Sequence, residues 1–141
     1  MAEQQGRLDS QEHTGAEGLD VERAGGVVTV TLNRPEVMNA MTGTMFAEFG
    51  RIFRDLHADE TVRCIVLTGA GGAFCSGGDV KGFASDNAGG SGTIPSLEER
   101  VHNLRQGMEL SRWLHEMPKP TLAIIPGAAA GAGLSMALAC D

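Results

Sequence analysis

Residues 118–141 read PKPTLAIIPGAAAGAGLSMALACD, and this stretch decides the fold class. Its apolar run at 122–125 has the composition of a buried β-strand. Pro126 and Gly127 turn the chain, and residues 131–139 form a predicted helix of small residues that can approach a neighbour closely. A strand, a turn and a helix in this order indicate one unit of an α/β fold.

The preceding part of the chain repeats this arrangement. Residues 64–67 (CIVL) predict a strand buried on both faces, as in a parallel sheet, and a glycine-rich segment follows at 69–78. Between the glycine-rich segment and the final strand, Ser96 and Glu99 have the spacing of a capping box that opens a second helix. Pro118 and Pro120 end that helix. The apolar residues along this helix are Leu97, Val101, Leu104, Met108, Leu110, Trp113 and Leu114.

The N-terminal third predicts a hairpin followed by a helix. Residues 1–18 are polar and predict a disordered tail. From Leu19 onward, β-forming residues interrupted by Gly25 and Gly26 predict two short strands joined by a tight turn. One apolar helix face follows, and Thr42 or Thr44 can cap its start. The residues of that face are Met45, Phe46, Phe49, Ile52, Phe53 and Leu56.

Composition excludes several classes of function. The net charge of −7 of the 141-residue chain argues against nucleic-acid binding through a basic face. No apolar run approaches the roughly 20 residues of a membrane span, and the start of the chain is unlike a signal peptide. Cys64, Cys75 and Cys140 are too few and too far apart for a disulfide framework, and neither they nor the four histidines have metal-ligand spacing. We therefore expect no metal site and a cytoplasmic location.

The glycine-rich segments allow more than one interpretation. Residues 69–74 begin like a dinucleotide-binding GxGxxG motif, but the third glycine is absent. A P-loop is excluded because the sequence contains no GK[ST]. Neither Ser76 nor Ser135 lies in the GxSxG elbow of an α/β-hydrolase. In one interpretation, these glycines permit tight turns and close packing and have no role in binding a ligand. However, each segment follows a predicted buried strand, where α/β proteins place ligands, and the second also opens a helix.

Three ordered motifs resemble the crotonase (enoyl-CoA hydratase/isomerase) superfamily. Residues 32–41 (LNRPEVMNAM) are similar to its LNRPxxxNAL segment, residues 65–81 (IVLTGAGGAFCSGGDVK) to its GxGxxFxxGxDLK loop, and residues 118–141 to its KPxIAAVxGxAxGGGxxLALACD segment. The resemblance implies an α/β crotonase-type ββα spiral. It covers residues 19–141, which we expect to be the N-terminal part of an acyl-CoA-binding domain that is truncated here. Homo-oligomers are expected of full-length members, less so of this chain.

The resemblance also implies a chemistry and a site. Family members activate acyl-CoA thioesters in fatty acid metabolism, with coenzyme A as part of the substrate and no further cofactor. Two backbone N–H groups form an oxyanion hole that stabilises an enolate, and by motif position these belong to Gly78 and Ala132. The residues expected to line the acyl-CoA channel are Val37, Met38, Ser76, Asp79 and Val80. Arg34 and Lys81 either meet phosphates or remain solvated surface charges.

The proton-transfer group is the point at which the chain departs from the hydratase pattern. Hydratases of the family use two glutamates, and the first falls at Ser135. Serine cannot act as a carboxylate base, and the second glutamate would follow Asp141. This version favours an isomerase or another single-base enzyme. The alternative is a truncated chain or pseudo-enzyme that keeps the CoA-facing loops without the carboxylates.

Overall fold

The computed structural model describes residues 17–79 and 96–141 of the chain. The predicted tail at 1–18, apart from Glu17 and Gly18, and the predicted loop at 85–95 lie outside these residues. The strands are β1 (Leu19–Ala24), β2 (Val27–Leu32), β3 (Cys64–Gly69) and β4 (Thr121–Ala123). The helices are a 3₁₀ turn (Pro35–Val37), α1 (Gly43–Ala58), α2 (Leu97–Glu116) and α3 (Ala132–Ala139).

The four strands form one sheet in the order β1-β2-β3-β4. β1 and β2 form the predicted antiparallel hairpin around Gly25 and Gly26. β3 pairs parallel with β2, and β4 pairs parallel with β3, so Leu67 lies between Val30 and Ala123. Since parallel strands end at the same edge, the segments that follow β2, β3 and β4 are brought together there. This confirms the α/β class.

Helix α1 covers one face of the sheet, as its apolar stripe predicts. Thr42 caps it, because its hydroxyl accepts a hydrogen bond of 3.2 Å from the Met45 N–H. The Phe49 and Phe53 rings stack at 5.0 Å between centroids and are almost fully buried. Burying a large apolar side chain contributes about 1.5–3 kcal/mol. The sheet residues buried in the same core are Val28, Val30, Leu32, Ile65 and Leu67.

Two of the burial predictions for the strands were wrong. In β3, Ile65 and Leu67 are buried, but Cys64 and Val66 on the opposite face are only half-buried. β4 is short, and Leu122 at its centre is 50% exposed. An apolar run shows that a strand can be buried on both faces. It does not show whether a second layer covers it, and no described element buries this second face.

Helix α2 forms with the predicted capping box, and its apolar residues are buried only in part. Its capping box is present, since the Glu99 N–H donates to the Ser96 hydroxyl and the Ser96 N–H to the Glu99 carboxylate. Among the residues of α2 whose burial the structure describes, only Leu110 and Leu114 near its C-terminal end are fully buried, and Trp113 is partly so. Helical spacing identifies the face that can be buried without showing where a neighbour ends. The exposed residues of this stripe are Leu97, Val101, Leu104 and Met108.

Within residues 17–79 and 96–141, no helix has the length and apolar character needed to span a membrane.

Candidate active site

The two glycine-rich segments meet beyond the ends of β3 and β4. Cys75 forms a parallel β-bridge with Ala129. Its N–H donates to the Ala128 carbonyl at 3.1 Å, and its own carbonyl accepts the Ala130 N–H at 2.9 Å. The two segments that follow β3 and β4 are therefore in direct backbone contact.

The backbone N–H of Gly78 points away from the strand-like pairing that holds it. The Met41 N–H donates to the Gly77 carbonyl at 2.8 Å, and the Met41 carbonyl accepts the Asp79 N–H at 2.8 Å. Because successive peptide groups alternate in direction along an extended chain, the N–H of the intervening residue faces the opposite side. In the described part of the chain no acceptor contacts the Gly78 N–H.

Ala132 is the first residue of α3, where a helix leaves its N–H groups without intrahelical partners. The Gly133 N–H is already satisfied by the Ala130 carbonyl at 3.0 Å, and the Ser135 N–H by the Gly131 carbonyl at 3.0 Å. Among the residues that the structure describes, the Ala132 N–H has no acceptor. It also lies at the positive end of the helix dipole, which favours a negative ligand atom.

The two donor segments touch each other. Gly77 has φ +110°, and a Cβ added there would lie 3.6 Å from the Ala132 nitrogen and 3.2 Å from the Ala130 oxygen. Gly133, the residue after Ala132, packs directly on the Cys75 backbone, and an added Cβ would clash with it. Because neither glycine has a side chain, the backbone next to Gly78 can lie against the backbone at Ala132.

The predicted channel residues Val37, Met38 and Ser76 are also brought together beside the donors. The Ser76 N–H donates to the Met38 carbonyl at 2.9 Å, and its hydroxyl donates to the Val37 carbonyl at 3.4 Å. Met38 is 56% exposed, so an apolar side chain is presented to solvent next to the Gly78 loop. Val80 and Lys81 lie outside the described residues.

Sequence reasoning missed Asn39, which fixes this rim. Asn39 is fully buried at φ +56°, a conformation that asparagine tolerates better than most residues. Its amide nitrogen donates to the carbonyls of Ala70 and Ala73 at 2.8 and 2.9 Å. Its amide oxygen accepts the Arg34 N–H at 2.9 Å. The signal was available, because a polar residue between apolar ones after a proline turn suits a positive φ.

The prediction that Arg34 either meets phosphates or is a solvated charge needs correction. The Arg34 guanidinium donates to the Ala40 carbonyl at 2.6 Å and to the Asp79 carboxylate at 3.2 Å. The two side chains are 22% and 19% exposed. Arg34 is thus engaged within the protein, and the Asp79 carboxylate is held by an ion pair with it.

Neither Ser135 nor Cys75 supplies an anion to the site. The Ser135 hydroxyl donates to the Gly131 carbonyl at 3.2 Å, a common contact within a helix. Burial raises the pKa of the Cys75 thiol, which keeps the sulfur neutral beneath the Gly77 loop. No group of three or more potential metal ligands occurs in the described ranges.

A separate cleft of about 260 Å³ lies between α1 and α2 and contains none of these residues. Trp113 in its wall carries the Arg54 guanidinium 5.4 Å from its ring centroid. Arg112 is paired with Glu109 and Glu116 at 3.4 and 3.3 Å. Since these arginines are already engaged, the donor site at the sheet edge is the stronger candidate.

Comparisons with known proteins identify the family of the chain. The model of the family "Enoyl-CoA hydratase/isomerase" matches residues 22–141. The chain is 39% identical over 116 residues to 1,2-epoxyphenylacetyl-CoA isomerase of Escherichia coli K12, covering 82% of this chain and 42% of that protein.

Solved structures give the same result. An enoyl-CoA hydratase/isomerase from Marinobacter aquaeolei is 35% identical with a TM-score of 0.79, over 89% of this chain and 47% of that one. An enoyl-CoA hydratase from Bacillus anthracis is 28% identical with a TM-score of 0.76, over 89% and 46%. The chain thus spans less than half the length of these three proteins. It belongs to the enoyl-CoA hydratase/isomerase family.

Proposed function

We propose that the chain provides the thioester-binding site of an acyl-CoA-processing enzyme of the hydratase/isomerase type. The Gly78 and Ala132 N–H groups would bind the thioester oxygen and stabilise an enolate. The observation that carries this proposal is the contact between two backbone segments that each present an N–H without an acceptor in the described residues. Fixed donors of this kind stabilise an oxyanion because they need no reorganisation when charge develops.

The reaction needs such a site because negative charge develops on the thioester oxygen. Loss of a proton from the α-carbon, or addition of water at the β-carbon of an enoyl thioester, delivers an electron pair to that oxygen. One donor is worth about 3–4 kcal/mol in the transition state. We further propose that Val37, Met38, Ser76 and Val80 line the acyl-CoA channel, and that Asp79 acts beside it through the loop.

The substrate class rests on the relatives. The E. coli relative is named for a CoA thioester, and we propose an acyl-CoA substrate here too, with no separate cofactor. We also propose a cytoplasmic location, a role in fatty acid metabolism and no nucleic-acid or membrane partner. Homo-oligomerisation is proposed for longer family members.

Binding without turnover is a second candidate, and the described carboxylates favour it. Asp79 is paired with Arg34, and the Asp141 carboxylate accepts the Thr121 N–H at 3.0 Å on β4. With Ser135 on α3, neither proton-transfer group of the hydratase pattern is present among the described residues. We therefore expect the 141-residue chain to bind acyl-CoA but to hydrate crotonyl-CoA slowly or not at all.

Replacing Ala132 tests the oxyanion hole. Proline is tolerated at the first position of a helix, where it removes the N–H and puts a ring carbon in the place of the hydrogen, while Ala132→Gly keeps the donor and serves as the control. By calorimetry, acetoacetyl-CoA, which enolises readily, should bind the proline variant at least about tenfold more weakly, or about 1.4 kcal/mol. Equal affinities for both variants would refute the role of Ala132.

Two further results decide between the candidates. No binding of acyl-CoA by the unaltered chain at millimolar ligand would refute the thioester site itself. Loss of the enoyl-thioester absorbance of crotonyl-CoA at an enzyme-like rate would refute binding without turnover.

A further inference from the structure

We infer that Arg34 and Asp79 form a clamp that positions the Gly78 N–H for the thioester oxygen. The inference rests on the proposed function, since it assigns a task to two residues that would not touch the reacting atoms. Both are positioning residues in this sense. The clamp joins the 3₁₀-turn segment to the donor loop, 45 residues apart in sequence.

The clamp is anchored firmly on the Arg34 side. The backbone of Arg34 is part of the turn, because its carbonyl accepts the N–H groups of Val37 and Asn39 at 3.1 and 2.9 Å. Its own N–H donates to the Asn39 side chain, which is fully buried. The guanidinium therefore extends from a fixed backbone. It binds the Ala40 carbonyl and the Asp79 carboxylate through the same Nη1 atom.

On the other side, the clamp acts one residue from the donor. The Asp79 N–H is bound to the Met41 carbonyl at 2.8 Å, and the Asp79 side chain is bound to Arg34. The peptide between Gly78 and Asp79 is thus held by a main-chain bond and by an ion pair. A charge-assisted bond is stronger than a neutral one and more demanding in geometry. Releasing it removes the contact with Arg34, while the main-chain bond between Asp79 and Met41 remains.

This placement distinguishes positioning from phosphate binding. A guanidinium that binds CoA phosphates would be free to leave the protein, and its loss would weaken the binding of free CoA. A guanidinium engaged with Ala40 and Asp79 contributes nothing to the binding affinity for free CoA. Its loss should instead reduce the polarisation of the thioester carbonyl, because the Gly78 donor is no longer aimed at the oxygen.

The test uses the 141-residue chain and an enoyl-CoA labelled with ¹³C at the thioester carbonyl. Infrared difference spectra report the downward shift of the carbonyl stretch on binding, and calorimetry reports the affinity for free CoA. The variants are Arg34→Met, Arg34→Lys, Asp79→Ala and Asp79→Asn. The matched control is the pair Arg23→Met and Asp59→Asn, which breaks an ion pair of 2.7 Å in another part of the fold.

We expect Arg34→Met and Asp79→Ala to lose about half or more of the shift, with affinity for free CoA within about twofold of the unaltered chain. Arg34→Lys and Asp79→Asn preserve a weaker contact and should lose less. If the alanine or methionine variant fails to fold by circular dichroism, these conservative variants carry the test. The control variants should retain the full shift.

Several outcomes would overturn the clamp. A full shift in every folded clamp variant would do so, as would an equal loss in the Arg23 and Asp59 controls. A loss of free-CoA affinity in the Arg34 variants alone would assign Arg34 to the phosphates. If the unaltered chain binds labelled thioester without any shift, the oxyanion hole fails and the clamp with it. A shift that is present but insensitive to Arg34 and Asp79 refutes the clamp and leaves the proposed function intact.

Discussion

Substituting alanine for Gly133 should separate the two donor segments and destabilise the chain. Gly133 is the second residue of α3 and lies on the Cys75 backbone. An added Cβ would lie 2.6 Å from the Cys75 Cβ and 2.9 Å from its carbonyl carbon. The Cys75 carbonyl cannot move freely because it accepts the Ala130 N–H at 2.9 Å. The helix would have to move away, carrying the Ala132 donor with it.

The expected magnitude follows from two opposing contributions. Forcing a methyl group into a packed site costs typically about 1–3 kcal/mol. Alanine in place of glycine in a helix returns roughly 0.5–1 kcal/mol. Taking the centres of the two ranges, the net loss in the free energy of unfolding is about 1 kcal/mol. With a urea dependence of about 2 kcal/mol per M, the centre of the range for a small protein, the unfolding midpoint should fall by roughly 0.5 M.

Gly43→Ala is the matched control, because Gly43 opens α1 and an added Cβ there meets nothing within 4 Å. This control should raise the free energy of unfolding by about 0.4–1 kcal/mol. Both variants are compared by urea unfolding monitored by circular dichroism. Gly133→Ala should also weaken acetoacetyl-CoA binding, while Gly43→Ala should not. A Gly133 variant as stable as the Gly43 variant would refute the contact between the donor segments.

Two further predictions concern the framework. Asn39→Ala removes three hydrogen bonds and places alanine at a positive φ, so unfolding should become easier by roughly 2–4 kcal/mol; Asn33→Ala, at an exposed pair with Asp20, should cost under about 0.5 kcal/mol, and equal urea midpoints would contradict this. Hydrogen bonds from Thr61 and then Arg23 lower the pKa of Asp59 from 3.8 to about 2. Because this pKa is depressed in the folded state, the stability it provides is present above 3.8 and lost as the pH falls toward 2. Asp59→Asn should flatten acid unfolding in that window, and parallel pH profiles for variant and parent would contradict the assignment.

The sequence predicts helices and strands that depend on local patterns more reliably than it predicts which of their faces are buried by a neighbouring element. The hairpin and α1 were found because turn glycines and a continuous helical stripe act over a few residues. Leu122 was assigned to a buried strand and is exposed, and the apolar Leu104 of α2 is exposed as well. Their apolar character is the same in either case, since burial depends on a second layer that the pattern of one element does not specify. The same limit applies to the second face of β3.

Likewise, one part of the site could be predicted from the sequence and another part could not. Gly78 and Ala132 were assigned through motif position, but the pairing of Arg34 with Asp79 depends on how two loops cross, and no spacing encodes that crossing. The hydrogen-bond partners of Asn39 could not be predicted from the sequence, because its carbonyl acceptors lie more than 30 residues away. A side chain's chemistry can be read from sequence, whereas its contact requires the fold.

The glycine-rich segments show why packing and function were not true alternatives. An oxyanion hole made of backbone N–H groups has no diagnostic side chain, so its sequence signature can only be the residues that let two backbones meet. Gly77 and Gly133 do this by contact, since a side chain at either position would crowd the opposite segment. Glycines that serve close packing are therefore the same glycines that create the donor pair. It follows that the donor positions, Gly78 and Ala132, should tolerate small side chains that keep the N–H. The packing glycines, Gly77 and Gly133, should not tolerate an added side chain.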